Sequence, residues 1–418
     1  MHPIRKSSPP APPNALPSPG PPLFRRIDWL TALLTAAAVW LGYYLTLAPE
    51  VTLEDSGELA TGSFYAGIPH SPGYPVWTLY TWLWTVLLPF KNIAWRVALG
   101  EATSGAVAAG LLGLLVSRGS SLLIEGIEEL KAMAGRWEAA ICMVSGFVAG
   151  LLLGYNGFMW SQSVIVEVYS FGLLSFMIVL LCLLRWIYAP SQRRYLYYAL
   201  FFFGLCFTNH QTLIVAAMGI EVAIAAADFR MGRNLFLGNS ILYLGGWLLS
   251  AEHVFTALQA NHAVFVIFHI VGACSIAAYA WFARLTRQRF TELVMDAAYA
   301  AFWLLLASLP ATGAFGALLA LGALAAFIRL ARRTRQMGGE WLVVLVCGLC
   351  WVAGAAFYFY LPLAGMTNPP MEWSYPRTVD GFIHALTRGQ YEKTNPTDII
   401  HHPGVFGLQL LSLGRGII

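Results

Sequence analysis

The chain has 418 residues, 58% of them hydrophobic and only 11% charged, with a mean hydropathy of +0.63. Soluble domains carry about 25% charged residues, so a chain this poor in them cannot cover a surface facing water, and a soluble globular fold is excluded. The net charge of +4 gives no ground for a nucleic-acid partner and is informative only through its distribution.

Residues 1–27 are rich in Pro and Ser and lack an apolar run, which predicts a disordered cytoplasmic tail. The first apolar run begins near Trp29 and is too long for a signal-peptide core, so it reads as an anchor. About twenty apolar residues are needed to cross the hydrocarbon as a helix. On that basis the expected spans are 29–48, 97–117, 139–154, 166–188, 195–209, 211–227, 235–251, 262–283, 293–309, 311–329 and 340–362. The fold class expected is all-α, a polytopic bundle of about eleven transmembrane helices. The transmembrane domain covers 28–362, and 363–418 form a C-terminal segment facing the outer side.

One apolar run, 75–90, is ambiguous. It holds Trp77, Trp82 and Trp84 and is bounded by Pro75 and Pro89. Cytoplasmic segments collect Lys and Arg. If 75–90 does not cross, the groups Arg25/Arg26, Arg118/Lys131/Arg136, Arg185/Arg193/Arg194, Arg230/Arg233, Arg284/Arg287/Arg289 and Arg329 to Arg335 all fall inside. Most of the 25 basic residues are then cytoplasmic; crossing would put most of them outside. The run is therefore placed along the outer interface, within a first outer loop at 49–96. The six cysteines all lie in apolar runs. Cys347 and Cys350 form a CxxC, but they lack the polar, accessible surroundings of a metal or redox pair.

This topology sends the acids outward. Glu50, Glu54, Asp55 and Glu58 open the first outer loop and are followed by His70. Further polar groups follow on the same side: Glu167 with Tyr169, Asn209 with His210, and the Asn368 to Pro376 loop holding Trp373. Glu101 and Glu221 sit within spans. Ionisable groups at membrane depth are expensive, and function is the default reading. A structural reading stands beside it: Asp55 or Ser56 capping a short helix, with Glu58 complementing its dipole. No GxxxxGK[ST], HExxH or GxSxG is present, leaving ATP-driven transport and those hydrolase classes unsupported.

Five elements in order carry a resemblance. They are Asp55-Ser56-Gly57-Glu58; His70-Ser71-Pro72-Gly73-Tyr74-Pro75; Trp160 with Glu167-Val168-Tyr169; Asn209-His210; and Tyr360-Leu361-Pro362 with Asn368-Pro369-Pro370, Trp373 and Pro376. Together they resemble a membrane family, once of unknown function, that includes the plexin-type protein O-mannosyltransferase. That family is similar to the GT-C superfamily of glycosyltransferases. The resemblance implies a polyprenyl-phosphate sugar donor, with mannose the expected sugar, and a protein or glycan acceptor on the luminal or periplasmic face; the short loops lean toward a bacterial inner membrane. It implies Asp55 as catalytic base and Glu58 as a second acid. His70, Tyr74, Glu167, Tyr169, Asn209, His210, Asn368 and Trp373 would bind substrate. Ser71 replaces a second proline of the pattern, and the arginine expected after Tyr360-Leu361-Pro362 is absent.

The donor phosphate needs an outer-facing cation. Arg96 ranks first, with Lys91 and Arg377 behind it, although Lys91 and Arg96 could equally be interfacial anchors. No cofactor is required, and a divalent metal is compatible with the carboxylates. The rival readings are a transporter or flippase for a lipid-linked sugar, and a non-catalytic subunit of an envelope-glycan assembly complex. A flippase needs polar groups along a path through the bilayer; acids gathered at one face favour an enzyme.

Overall fold

The computed structural model describes residues 22–253, 262–335, 339–391 and 402–417. Most of the expected disordered tail, residues 1–21, lies outside the described residues. Every regular element is helical, and the nearest approach to a sheet among the described residues is an isolated bridge between Ile68 and Glu372.

The order is α1 (Arg26–Leu45), α2 (Ser56–Phe64), α3 (Pro75–Leu87), α4 (Ile93–Gly126), α5 (Glu128–Ala134), α6 (Glu138–Gly154), α7 (Gly157–Ser163), α8 (Tyr169–Tyr188) and α9 (Arg194–Asn209). Then come α10 (Ala216–Ala227), α11 (Phe229–Ala251), α12 (His262–Leu285), α13 (Phe290–Ala307), α14 (Leu309–Arg333) and α15 (Glu340–Ala355). Three short helices follow: α16 (Tyr360–Gly365), α17 (Val379–Leu386) and α18 (Pro403–Ile417).

Each of the eleven expected segments overlaps one or more of these helices, but the expected count of spans is not reached. Six stretches are long and apolar enough to cross a membrane: α4, α8, most of α12, α13, α14 and the run Glu340–Gly365. A seventh exists if α6 and α7, bent by 67°, form one span. The shortfall has physical causes. Asp28, two threonines and two tyrosines dilute α1, α9 has 16 residues, α10 has 12, and α11 carries Arg230, Arg233, Asn234 and Asn239. At 13 residues α3 is about 20 Å long, too short for a hydrocarbon core of about 30 Å. Large apolar side chains such as Leu33, Leu152, Leu242 and Phe315 stand exposed on the helices. The chain is an integral membrane protein.

Two compact units share the chain. The first runs to Phe64 and resumes over Leu79–Ala199; the second takes Tyr65–Thr78 and everything from Leu200.

In the first unit α4 is the central post, packed along α1, α6 and α8. Its buried face is made of small residues, including Ala98, Ala102, Ala106 and Ala109. A Cβ added at Gly110 would stand 2.7 Å from the carbonyl of Ala32 on α1, and one at Gly150 of α6 would stand 2.7 Å from that of Ala109. Backbones thus touch directly, the usual solution where lipid offers no hydrophobic drive for helix association.

Polar groups lock the two ends of this unit. At one end Arg25 pairs with Asp28 and Glu138, Ser117 donates to Asp28 over 2.6 Å, and Ser121 donates to Glu138 over 3.0 Å. At the other end Asn92 donates to the Pro49 carbonyl over 2.8 Å, and the Trp160 indole donates to Thr46 over 2.9 Å. The Ala48 amide donates to Val164 over 2.9 Å. The helices α1, α4 and α6 therefore alternate in direction, with an arginine-rich end and an acidic end.

In the second unit α11 packs on α10, α12, α13 and α15, and α13 packs on α14. Met295, Phe327 and Ala331 form a core joined by Tyr299 and Trp341. Arg233 faces Glu292 at 3.8 Å, and Asp296 accepts from the Tyr279 hydroxyl at 2.9 Å. Asn239 donates to Glu221 over 2.9 Å, so that acid serves the α10–α11 seam. Cys142, Cys206 and Cys347 are buried, and the described cysteines are all free thiols.

Candidate functional site

At the acidic end of the first unit, α2 begins at Ser56, which puts Asp55 immediately before its first turn and Glu58 inside it. Leu59, Ala60 and Ser63 bury the inner face of α2, which rests on α4. Ser63 shares a 2.8 Å hydrogen bond with Thr81 of α3. The opposite face leaves Asp55 exposed and Glu58 half-buried, with carboxylate oxygens within 4.8 Å of one another. Glu54 precedes them at φ 65°, a left-handed conformation uncommon for a side-chain-bearing residue. Two carboxylates so placed can accept a proton from a hydroxyl and bias a developing positive charge. They can also contribute carboxylate oxygens to a divalent cation.

Two further acids belong to this unit. Glu167 is 5% exposed, just ahead of α8, and Glu101 on α4 is fully buried. Beside Glu101, the Tyr80 hydroxyl donates to the Gly100 carbonyl over 2.8 Å and accepts from Ser104 over 3.0 Å. Burial pushes that phenol up to about 12; the charge of Glu101 acts in the same direction, against the Ser104 hydrogen bond. The Tyr169 ring is exposed and stands edge-on to Phe158 at 5.8 Å.

The structure gives Arg96 a structural part. Its guanidinium donates to the carbonyls of Phe90, Thr85 and Lys91 at 2.9, 3.0 and 2.9 Å. All three lie at the end of α3 and the turn after it, so Arg96 fastens that turn to the start of α4. Trp160 is likewise a brace: besides its bond to Thr46, its ring packs on Tyr155 and Tyr43.

In the second unit the turn at 65–74 lies beside the 371–377 loop. The Ile68 amide donates to Met371 over 2.8 Å, and the Trp373 amide donates to Ile68 over 3.0 Å. His70, 9% exposed, bonds the Tyr74 hydroxyl through Nε2 at 2.8 Å. Ser71 contacts the Ser374 hydroxyl at 3.1 Å and donates to Gln390 over 3.3 Å. Tyr74, Asn368, Ser374 and Tyr375 all have positive φ, so the loop holds several costly conformations at once. Gly73, at φ 84°, turns the chain where a side chain would meet Leu361.

Arg377 donates through Nε to Glu372 over 3.1 Å, closes a second contact on that carboxylate, and reaches the Asn368 side chain. This cluster stands against Gly365, where an added Cβ would be 2.8 Å from Glu372. The loop thus brings an arginine to the end of α16, close to the position where the family pattern carries one in sequence. Trp373 and Tyr375 are exposed there, with Arg377 stacked 4.2 Å over the Tyr375 ring.

Asn209 is fully buried at the end of α9, and His210 follows it. The His210 ring bonds the Thr212 hydroxyl, and neighbouring Gln211 ties to the Tyr358 hydroxyl and the Leu386 carbonyl at 3.0 and 2.8 Å. Burial, and then the positive charge of Arg388, hold the imidazole below its ordinary 6.5. Arg388 itself lies 4.5 Å over the Tyr391 ring, and His70 approaches that ring edge-on at 6.4 Å. Gln390 and Tyr391 escaped the sequence reading, and Arg388 was placed on the outer side without a site role. Their only signal is position, a short polar run after α17.

An all-helical integral membrane protein with carboxylates gathered at one end of its first unit is the class defined so far. Comparison narrows it. Residues 55–231 match the family model described as Protein O-mannosyl-transferase TMEM260 N-terminal domain. The match opens on Asp55 itself. A Mus musculus protein named Protein O-mannosyl-transferase TMEM260 is 35% identical over 124 residues, 28% of this chain and 18% of that protein. A Dictyostelium discoideum protein named Protein O-mannosyl-transferase tmem260 is 29% identical over 76 residues, 18% of this chain and 9% of that protein. The matched stretches span less than a fifth of these relatives' length. No solved structure matches the chain.

Proposed function

We propose that the chain is a membrane glycosyltransferase that moves a mannose from a polyprenyl-phosphate carrier to a hydroxyl of a protein acceptor. Asp55 is the base. The observation that carries this reading is the pairing of Asp55 with Glu58 within 4.8 Å at the acidic end of the first unit, at the residue where the O-mannosyl-transferase domain match begins. A base must lie within hydrogen-bond reach of the hydroxyl it deprotonates, and Asp55 is the exposed member of the pair. Glu58 supplies negative charge near an oxocarbenium-like centre. A single displacement inverts the anomeric carbon: the acceptor oxygen bonds to it, the carbon–oxygen bond to phosphate breaks, and the proton passes to Asp55.

The acidic end faces away from the cytoplasm of a bacterial inner membrane, because the opposite end holds the arginines. The further residues this reading expects to contact substrate are His70, Tyr74, Glu167, Tyr169, Asn209, His210, Asn368 and Trp373. Arg96 is taken up by three carbonyls.

The test is Asp55→Asn in the purified full chain, supplied with a labelled polyprenyl-phosphate mannose and an acceptor protein. Transfer should fall by about 100-fold or more while insertion and helicity stay unchanged. Full transfer by the variant would remove Asp55 as base. Movement of the labelled lipid across the bilayer without transfer, by the unmodified chain, would replace the enzyme with a flippase.

A further inference from the structure

The arginine-rich end of the first unit holds a second polar feature that sugar transfer does not use. Arg118 of α4 is 7% exposed and donates to Ser121 at 2.9 Å and Glu125 at 3.3 Å. Arg185, in the last turn of α8, donates to Gln192 at 3.1 Å. Both guanidiniums address one ring: they lie 6.0 and 5.7 Å from the centre of Tyr188. Arg185 also lies 5.2 Å from the centre of Tyr195, a ring it shares with Arg194 at 5.1 Å. The result is a ladder of three arginines and two tyrosines.

Only Glu125 among the described residues offsets this charge by direct pairing, and its side chain is half exposed. Two donors in the ladder, Arg118 Nε and Arg185 Nη1, are buried and meet no acceptor. Leaving buried guanidinium N–H groups without an acceptor is costly, and an anion's oxygens would satisfy both while sharing the charge. Apolar side chains flank the ladder. Leu123 on α4 and Leu184 on α8 stand exposed close by in sequence, so an anion here would have hydrocarbon beside it. Basic pockets between helices at a membrane face suit phosphate headgroups.

We propose that this ladder binds the phosphate of an anionic membrane lipid, in the leaflet opposite the acidic end.

The experiment uses the full chain in nanodiscs of equimolar phosphatidylglycerol and phosphatidylcholine, with the lipids that stay bound counted by native mass spectrometry after release. Phosphatidylglycerol should be retained over phosphatidylcholine by about tenfold. Arg185→Gln should bring that ratio near unity, and Arg185→Lys, which keeps the charge but loses the fork, should fall between. Tyr188→Leu, which removes the shared ring without touching a charge, should lower the ratio too and guards against a folding defect peculiar to the arginine variants. Equal retention of both lipids by the unmodified chain, or an unchanged ratio in Arg185→Gln, overturns the proposal. Displacement of phosphatidylglycerol by inorganic phosphate would make free phosphate the ligand and overturn the lipid assignment.

Discussion

Arg96 shows how the part of an arginine favoured by the sequence changes once its atoms are placed. Arg96 follows an interfacial aromatic run and looks like a phosphate ligand, yet three of its five N–H donors are held by backbone carbonyls. Arg96→Gln should therefore lower stability by about 1–3 kcal/mol, read as a lower Tm, and leave the donor KM of the surviving enzyme unchanged. A raised donor KM at normal Tm would return Arg96 to substrate binding. His210 gives a pH prediction. Its folded pKa lies below the ordinary 6.5, so the unfolded chain binds the proton more readily. The stability contributed by the neutral ring is complete above 6.5 and drains away as pH falls through the folded value. Replacing His210 with Gln should flatten the acid limb of a Tm-against-pH curve, and an unaltered limb would place the titration elsewhere.

The acids Asp55 and Glu58 were legible because four carboxylates in nine residues beside an apolar anchor violate the composition around them. Arg388 and Tyr391 were not, since a polar run in a loop carries no periodicity, and only the fold shows them beside His210 and His70. Tyr169 sat in a matched motif, yet its ring is turned out against Phe158. A motif fixes which residue is present and leaves its direction to packing.

At the scale of elements, apolar period and length located the long helices, missed short ones such as α5, α7 and α17, and overcounted spans, because a run of apolar residues does not say how far the helix continues. The break between α6 and α7 is an example: Asn156 caps α7 by accepting from the Phe158 and Met159 amides, and the chain bends by 67°. The seam between α1, α4 and α6 depends on glycine and alanine more than on any large side chain. Gly110→Val should cost about 1–3 kcal/mol by overpacking against Ala32, measured by thermal unfolding in detergent. A variant as stable as the parent would mean that the seam has slack. Gly126, with open space around its missing side chain, should accept alanine freely and is the matched control.

At the scale of the whole molecule, the alternation of α1, α4 and α6 places the start of α1 with the end of α4, and the end of α1 with the start of α4. Membrane-impermeant maleimide applied to right-side-out vesicles should label a cysteine placed at Leu53, which is 87% exposed, and spare one placed at Glu128. Labelling of both, or of Glu128 alone, would reverse or dissolve the assignment of sides. The distribution of arginines predicts the sign of this topology; the ionic knot of Arg25, Asp28, Ser117 and Glu138 was not legible in the sequence, since Arg25 and Glu138 stand more than a hundred positions apart in the chain.

The length of α4 has a consequence for the host membrane. Its 34 residues extend about 51 Å at 1.5 Å per residue, against a hydrocarbon slab of about 30 Å. A helix that overshoots by this margin must tilt or leave its last turns in the polar zone, and here those turns bear Ser117, Arg118 and Ser121. Bilayers of longer acyl chains would draw these groups toward oil and shift the tilt. Membrane thickness thereby becomes a variable that acts on the protein's central post along its axis.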